Sequence, residues 1–385
     1  MKIALVTHVL RRGDGQGRVN YEIARAAADA GHELYLLAAE VAPDLAAHPN
    51  VAWVPISYGF LPTNLIRYQV FAAQSWLWLA KHRRELDLVH VNGAVTWGRS
   101  DVNSVHFVHT GWRRSRYYAP GAGLNGLYQC VNNALNSALE RLAFRQSRLL
   151  VAASNKTAGE LIDMGVDRAK VRVVVNGVDI EAFRPGVEDR KQWGLPCDVP
   201  VALFAGDLRT YRKNLDTVLH ALARVPDLHL AVAGALERSL FPAMAKQLGV
   251  ADRVHFLGLR RDMAPLMRSS DSFVFPSRYE ACSLVLLEAA ASGKPVVTAR
   301  TAGGSELIDE ASGIVLENPD DVDALAEAMK RLSADRDLRE EMGRRARAVA
   351  EQHSWDRMAR EYLALYDFAR PAAAAKANSL AASAK

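Results

Sequence analysis

The sequence predicts an α/β protein made of two doubly wound units, each a parallel sheet covered by helices on both faces. Short apolar runs bounded by turn-forming residues alternate with amphipathic helical stretches along most of the chain. The alternation is interrupted once, near residue 185, and then resumes. At 385 residues the chain is long enough for two cores and too long for one.

The first unit opens with "KIALVTHVL", residues 2–10, which reads as a strand running into a Gly-rich loop. A helix follows in "VNYEIARAAADAG", 19–31, with Gly31 as its stop before the strand "ELYLLAA", 33–39. "LDLVHVNG" (86–93), "VNSVHFVHT" (102–110) and "SRLLVAAS" (147–154) supply further strands. "VVVNGVDIEAFRPGVEDRKQWGLPCDVP", 173–200, holds an Asn-Gly turn, three prolines and little periodicity, and reads as a linker. The second unit takes its strands from "VALFAG", "LHLAVAG", "RVHFLG", "SFVFPS" and "KPVVTA", with "NLDTVLHALARV" among the helices between them. Helical periodicity over "DDVDALAEAMKRL" and 336–369 closes the fold, and the Ala/Ser-rich tail, 371–385, reads as disordered.

Half of the residues are hydrophobic and 24% are charged, the composition of a globular protein. Three scattered cysteines, Cys130, Cys197 and Cys282, offer neither a CxxC metal spacing nor a disulfide framework, which fits a reducing, cytoplasmic setting. The amino-terminal apolar run is too short for a signal peptide. "VFAAQSWLWLA", 70–80, is broken by Gln74 and Ser75 and does not span a bilayer. Residues 1–185 carry 21 Lys+Arg against 15 Asp+Glu, and the remainder 27 against 28. The basic excess of the first half suits an anionic lipid surface, a phosphorylated acceptor or nucleic acid, and equally an ordinary solvated surface. With Trp76, Trp78 and Arg83 it makes peripheral contact at the inner face of a membrane an expectation.

Two stretches carry the chemistry. "FPSRYEACSLVLLEAAASG", 275–293, places a strand end, a loop and a helix starting near Ser283. The unpaired N–H groups of that helix start make the backbones of Ser283, Leu284 and Val285 candidate phosphate donors. Glu288, one turn in, can accept from the vicinal diol of a ribose; alternatively Glu280 and Glu288 simply favour a helix start. "GDLRTYRKNLDTVLHAL", 206–222, follows a strand with Arg209, Arg212 and Lys213, cations placed for a diphosphate or belonging to a solvated loop. In the first unit, "HTGWRRSRYY", 109–118, gathers Trp112, Arg113, Arg114 and Arg116 with two tyrosines. Such a platform suits sugars and phosphates, single-stranded nucleic acid, or no ligand at all. No GxxxxGK[ST] loop is present, and "RRGDGQGRVN" lacks the final glycine of GxGxxG. "DVD", 321–323, is better read as a helix cap than as a metal site, so no metal is implied.

Val201–Leu307 resembles the donor-binding domain of retaining glycosyltransferases of the GT-B fold, in particular the GT4 family. Its E-x7-E motif matches Glu280 to Glu288, and "FAGDLRTYRKN" matches its F-x-G…R-K-[GN] strand and loop. "VHFLG", "DSFVFPSRYE", "EAAASGKPVV" and "GGSELI" follow in the family's order. "GDGQGRVNYEIARAAADAGHEL", "VVVNGVDIEAFRP" and "HSWDRMAREYLALY" extend the similarity over roughly residues 1–368.

The resemblance implies two Rossmann-like domains facing a central cleft, with 1–185 binding the acceptor and 186–353 the nucleotide sugar. A helix at 354–370 would pack back on the first domain. Lys213 with Arg209 or Arg212 would hold the donor diphosphate, and Gly15 and Gly17 would let the first loop approach it. Glu288 would hold the ribose, Gly258 and Arg260 the base, and Glu280 the transferred sugar. His109 would face the reactive centre, although His90 and His106 resemble it in setting, while Trp112, Arg113, Arg114 and Arg116 would meet the acceptor. Where many members have Arg after the loop glycine this chain has Asp207, which is expected to point away while Arg209 supplies the charge.

The expected activity is metal-independent, retaining hexosyl transfer without a cofactor. The donor would be a UDP-sugar in preference to a GDP-sugar, and the acceptor a hydroxyl of a glycan or lipid-linked saccharide in envelope or exported-polysaccharide synthesis. Nucleic acid is not an expected partner. A same-fold phosphorylase or epimerase, or a non-catalytic binding protein suggested by Asp207, are the alternatives.

Overall fold

A computed structural model of the chain describes residues 1–13, 15–59 and 63–370; the tail expected to be disordered lies outside the described residues. Contacts divide it into two compact units, Met1–Asn176 with the segment from Trp355 onward, and Gly177–Ser354. The first unit begins with β1 (Lys2–Val6), β2 (Val9–Leu10), α1 (Gly15–Asp29), β3 (Glu33–Ala38), β4 (Glu40–Val41) and α2 (Pro43–Ala46). It continues with β5 (Val51–Pro55), α3 (Asn64–His82), β6 (Leu88–Asn92), β7 (Ser100–Val105), α4 (His109–Arg114) and α5 (Gly123–Gln146). β8 (Ser147–Ala152), α6 (Asn155–Asp163) and β9 (Val171–Val173) complete its sheet.

The second unit runs through β10 (Val201–Ala205), α7 (Leu215–Leu222), β11 (His229–Ala233), α8 (Phe241–Gln247), β12 (Val254–Gly258) and α9 (Met263–Arg268). It then adds β13 (Ser272–Phe275), α10 (Leu284–Ala291), β14 (Val296–Ala299), β15 (Gly313–Leu316), α11 (Val322–Ala334) and α12 (Arg336–Glu351). The last described helix, α13 (Trp355–Ala369), belongs to the first unit and packs on its α1.

Both main sheets are parallel and reverse direction of growth at one point. The first has the order β5-β3-β1-β6-β7-β8-β9, so the chain builds outward from β1 and returns to lay β6 on its other flank. The second, β12-β11-β10-β13-β14-β15, reverses between β10 and β13. Diverging loops at such a reversal open a crevice at the carboxyl ends of the two central strands. Strands buried on both faces need apolar residues at every position, and Val201–Ala205 and Ser272–Phe275 are buried throughout.

Three edge strands escaped the sequence reading, while a fourth, β12, was read in "RVHFLG". β5, β9 and β15 lie at sheet margins and are partly exposed, so their sequences lack the continuous apolar run. β9 also takes the first residue of the segment read as linker. α1 starts at Gly15, four residues ahead of expectation, because its buried face begins at Gly17; packing carries the helix over residues of poor propensity. The Asp321 carboxylate accepts from the Ala324 N–H at 2.9 Å, so the "DVD" stretch is indeed a helix cap.

α13 is held on the sheet by a buried polar chain. His90 Nδ1 lies 2.7 Å from the Tyr366 hydroxyl and Nε2 2.7 Å from Ser104 Oγ, which in turn donates to Tyr362 Oη at 3.0 Å. With the Ser104 proton spent on Tyr362, His90 Nε2–H donates to Ser104 and Nδ1 accepts from Tyr366. Burial, which penalises a charged ring, keeps the imidazole in this neutral form.

Burial pushes His90 down to about 3, and His106 and His109 to about 4. The unfolded chain takes up these protons near pH 6.5, the folded chain only well below it. The stability tied to the neutral rings is thus complete above about pH 6.5 and is lost as pH falls through the folded values. We expect the Tm of the native protein to drop between about pH 6.5 and 4, and His90→Gln to shrink that drop while lowering Tm at neutral pH. Thermal melts followed by circular dichroism across this range check it; equal slopes for the two proteins contradict it.

Candidate active site

The reversal between β10 and β13 gathers the second unit's charged residues. Gly206 ends β10 with no side chain, and an added Cβ would lie 3.3 Å from Lys213 Cγ and 3.4 Å from the Phe275 ring. The missing side chain lets Lys213 lie across the strand ends, its Nζ 5.3 Å from the Phe275 ring centroid. A short 3₁₀ turn, Tyr211–Lys213, presents Arg212 and Lys213 together. Asn214 closes it in the left-handed region, φ 69°, and its side-chain amide donates to the carbonyls of Pro276 (2.8 Å) and Pro319 (2.7 Å). The turn is thereby fastened to the end of β13.

Glu280 meets it there. Its Oε1 accepts from Lys213 Nζ at 2.6 Å and Arg212 Nη1 at 2.7 Å, and Ser277 Oγ lies 3.1 Å away. Oε2 makes no hydrogen bond among the described residues. The Glu280 backbone is also clamped, its N–H donating to Thr301 O (3.3 Å) and its carbonyl accepting from Gly303 N–H (3.0 Å). The Glu280 and Lys213 side chains are 12% and 16% exposed, so water screens the pair little. Burial pulls the Lys213 pKa down, and Glu280 opposes that shift. Two cations on one carboxylate leave a positive excess at the strand ends.

α10 begins beside this cluster without a side-chain cap. The Ser283 N–H donates to Gly303 O at 3.0 Å, which removes it from the expected phosphate donors. The N–H groups of Leu284 and Val285 have no acceptor among the described residues, as the first turn of a helix requires. Glu288, half-buried, stands one turn further along α10.

Several other expectations change. Arg209 does not stand in for a missing charge: its guanidinium is bidentate with Asp207, at 2.8 and 3.0 Å, and is 60% exposed. The pair is two residues apart and closes locally, so Arg212 rather than Arg209 shares Glu280 with Lys213. Arg260 is likewise bidentate with Asp262 and lies over the Trp193 ring at 4.6 Å, beside Gly258, which ends β12 at φ 72°. Gly15 and Gly17 belong to the first turn of α1 rather than to a loop.

In the first unit His109 heads α4, and its backbone N–H and that of Thr110 donate to the buried Glu140 carboxylate at 2.7 and 2.6 Å. Its Nδ1 is buried without a hydrogen-bond partner, and the ring meets Phe107 edge to face. Trp112 stands edge-on to Tyr118, Arg116 lies over Tyr117, and Arg113 and Arg114 are exposed. Arg83 belongs to the fold, bound to Asp101 at 2.9 and 3.1 Å, and Trp78 stacks on His82. Trp76 and Leu77 remain exposed, with Trp97 beside Trp76. No helix among the described residues is long and apolar enough to cross a membrane.

The sequence reading missed Ser277, Asn214, Glu140 and Arg278. Arg278 ties the site's underside together, binding Asp216 through two nitrogens (2.9 and 2.7 Å) and Asp320 at 2.7 Å. Ser277, Arg278 and Asn214 stand inside the stretches already singled out, whereas Glu140 is 31 positions from His109 and carries no local signal.

Residues 13–182 match the family described as Glycosyltransferase Family 4, and residues 187–349 that described as Glycosyl transferases group 1. A D-inositol 3-phosphate glycosyltransferase of Xylanimonas cellulosilytica is 32% identical over 314 residues, 74% of this chain and 73% of its own. Sucrose-phosphate synthase from Thermosynechococcus elongatus shares the fold with a TM-score of 0.80 at 21% identity, over 95% of this chain and 98% of that one. Anabaena Alr3699/HepE, solved in complex with UDP and glucose, does so with a TM-score of 0.70 at 20% identity, over 94% and 98%. The paired Rossmann-like units are those of the GT-B fold. The chain belongs to the glycosyltransferases, with a family 4 amino-terminal half and a group 1 carboxyl-terminal half.

Proposed function

We propose that the protein transfers a hexosyl group from a UDP-sugar to a hydroxyl of an anionic glycan or glycolipid, with retention of anomeric configuration and without a metal. The observation that carries this is Glu280 sharing one oxygen between Arg212 and Lys213 beside the uncapped start of α10. In the proposed reaction the acceptor oxygen attacks the anomeric carbon on the face the diphosphate leaves, through an oxocarbenium-like state. The bond from that carbon to the leaving oxygen breaks, and the acceptor proton passes to the leaving diphosphate. Lys213, Arg212 and the N–H groups of Leu284 and Val285 meet the charge that develops there.

Glu288 holds the ribose, Gly258 and the Arg260 backbone the base, and Glu280 Oε2 a sugar hydroxyl. His109, kept neutral by burial, is assigned to the acceptor side, where its ring can accept a hydrogen bond. Trp112, Arg113, Arg114 and Arg116 receive the acceptor. The UDP complex of the Anabaena neighbour supports the donor, and the phosphorylated acceptor in the relative's name supports an anionic one. Asp207 gives little reason to prefer a non-catalytic protein, since Arg209 offsets its charge. Synthesis of envelope or exported polysaccharide, at the inner face of the cell membrane, is the setting we infer.

Purified protein offered a panel of UDP-, GDP- and ADP-sugars should bind a UDP-sugar and hydrolyse it slowly without acceptor. Lys213→Ala should lower kcat/KM by about 10²–10³ and Glu288→Ala should weaken donor binding about tenfold. EDTA should change neither. Normal donor binding and turnover in both variants would sink the site, and an inverted product anomer, read by proton NMR, would sink the mechanism.

Trp76, Leu77 and Trp97 with the basic first half support contact with an anionic membrane. Sedimentation with phosphatidylglycerol vesicles should decrease with salt and with Trp76→Ser/Leu77→Ser, and absence of binding at low salt rejects the contact.

A further inference from the structure

The amino ends of the second unit's strands carry a cavity that the proposed transfer does not use. It measures about 970 Å³ and is walled by residues 185–190, the segment leading into β10, the turns leading into β13 and β14, and one face of α12. That is the size of a small-molecule site. Four or five residues of strand, roughly 13–16 Å, separate it from the cluster at the carboxyl ends. Seven lining side chains are Lys or Arg and five are Asp or Glu, a cationic balance.

Most of the arginines are committed to the fold. Arg190 binds Asp271 at 2.6 Å, Arg268 binds Glu188 at 2.7 Å, and Arg347 binds the carbonyls of Ile180, Phe183 and Ala291. Lys294 differs. Largely buried, it forms no close ion pair among the described residues: the Asp271 carboxylate acts on it from a distance, against Arg190 and Arg268, and its ammonium makes one hydrogen bond, to Arg268 O at 3.3 Å. Burial pulls it down to about 8, which still leaves it mostly charged at neutral pH. Arg339 reaches only the carbonyls of Leu332 (2.6 Å) and Ser333 (2.9 Å). Ser292, between α10 and Lys294, has a buried hydroxyl with no hydrogen-bond partner.

A helix carboxyl end ordinarily disfavours an anion. Here the last carbonyls of α10 are already taken: Lys294 N–H donates to Ala289 O, Gly293 N–H to Ala290 O, and Arg347 to Ala291 O. The close approach of α12 then fixes the wall, since a Cβ on Gly343 would lie 2.1 Å from Gly293 O.

We propose that this cavity is a second ligand site, which takes a phosphate-bearing small molecule on the Lys294 ammonium and the Arg339 guanidinium. A compact ammonium and a fork of N–H donors both match a phosphate dianion. Ligand supplies the close anionic partner that Lys294 lacks among the described residues, Asp271 acting on it only from a distance.

Inorganic pyrophosphate, titrated calorimetrically into the full chain near pH 7, is the probe. Two sites are expected, of which Lys213→Met removes one and Lys294→Met weakens the other at least tenfold, while Lys294→Arg keeps it. In Lys213→Met protein carrying ¹³C-dimethylated lysines, the Lys294 resonance should titrate near 8 and shift upward in pKa when pyrophosphate is added. Stoichiometry unchanged by Lys294→Met, or a Lys294 resonance indifferent to pyrophosphate, overturns the proposal. Neither readout requires turnover, so failure of the transferase reading leaves the result intact.

Discussion

Glu280 Oε1 is the point on which the candidate site turns. One carboxylate oxygen joins the loop after β10 to the loop after β13, across the place where the sheet reverses. Charge-assisted bonds of 2.6 and 2.7 Å in a setting that water hardly reaches are strong, and each partner depends on the others to offset its desolvation. Removing the carboxylate would leave two buried cations facing each other, a change of about 3–5 kcal/mol by the usual cost of breaking such a pair. Because two cations share one anion, the cluster holds together and keeps a positive excess, which suits the diphosphate of the proposed donor. Arg278, below it, repeats the logic with the signs reversed, one guanidinium between Asp216 and Asp320.

Central strands were legible in the sequence because burial on both faces permits little but apolar residues, as in "VALFA" and "SFVF". Three of the four edge strands were not, because an exposed margin relaxes that demand: "VAWVP" was not read as a strand, and pairs along Leu34–Ala38. The motif position taken by Asn214 shows a family pattern with a physical cause. The turn after Lys213 needs φ near 69°, which glycine and asparagine tolerate best, and asparagine adds two bonds to the Pro276 and Pro319 carbonyls.

At the site, the meeting of Glu280 and Lys213 was legible because Glu280 interrupts an otherwise apolar run and Lys213 stands in a basic loop just past a strand. Which arginine joins them was not, since spacing within a short turn does not say which way a side chain leaves it. Asp207 captures Arg209 from two residues away, and that local pair decides the matter in favour of Arg212. The histidines divide on similar grounds. His90, inside a central strand, finds Tyr366 and Ser104 and becomes part of the core, whereas His109 follows β7 and keeps an unpartnered ring nitrogen. The tyrosine that settles His90 comes from the far end of the chain, beyond any local reading.

Lys213 and Lys294 occupy opposite ends of the same sheet, and both are drawn down by burial. Their difference is the carboxylate. An anion reaching Lys213 competes with Glu280 for its protons, so in the proposed reaction a sugar hydroxyl that gives Glu280 another partner would strengthen binding beyond what pyrophosphate alone achieves. At Lys294 no carboxylate stands within ion-pair distance among the described residues, Asp271 acting only from further away, so the proposed phosphate would meet less competition there. In the proposed reaction, preference for a complete donor over its fragments would then follow from Glu280, the residue that also holds Arg212 and Lys213 together.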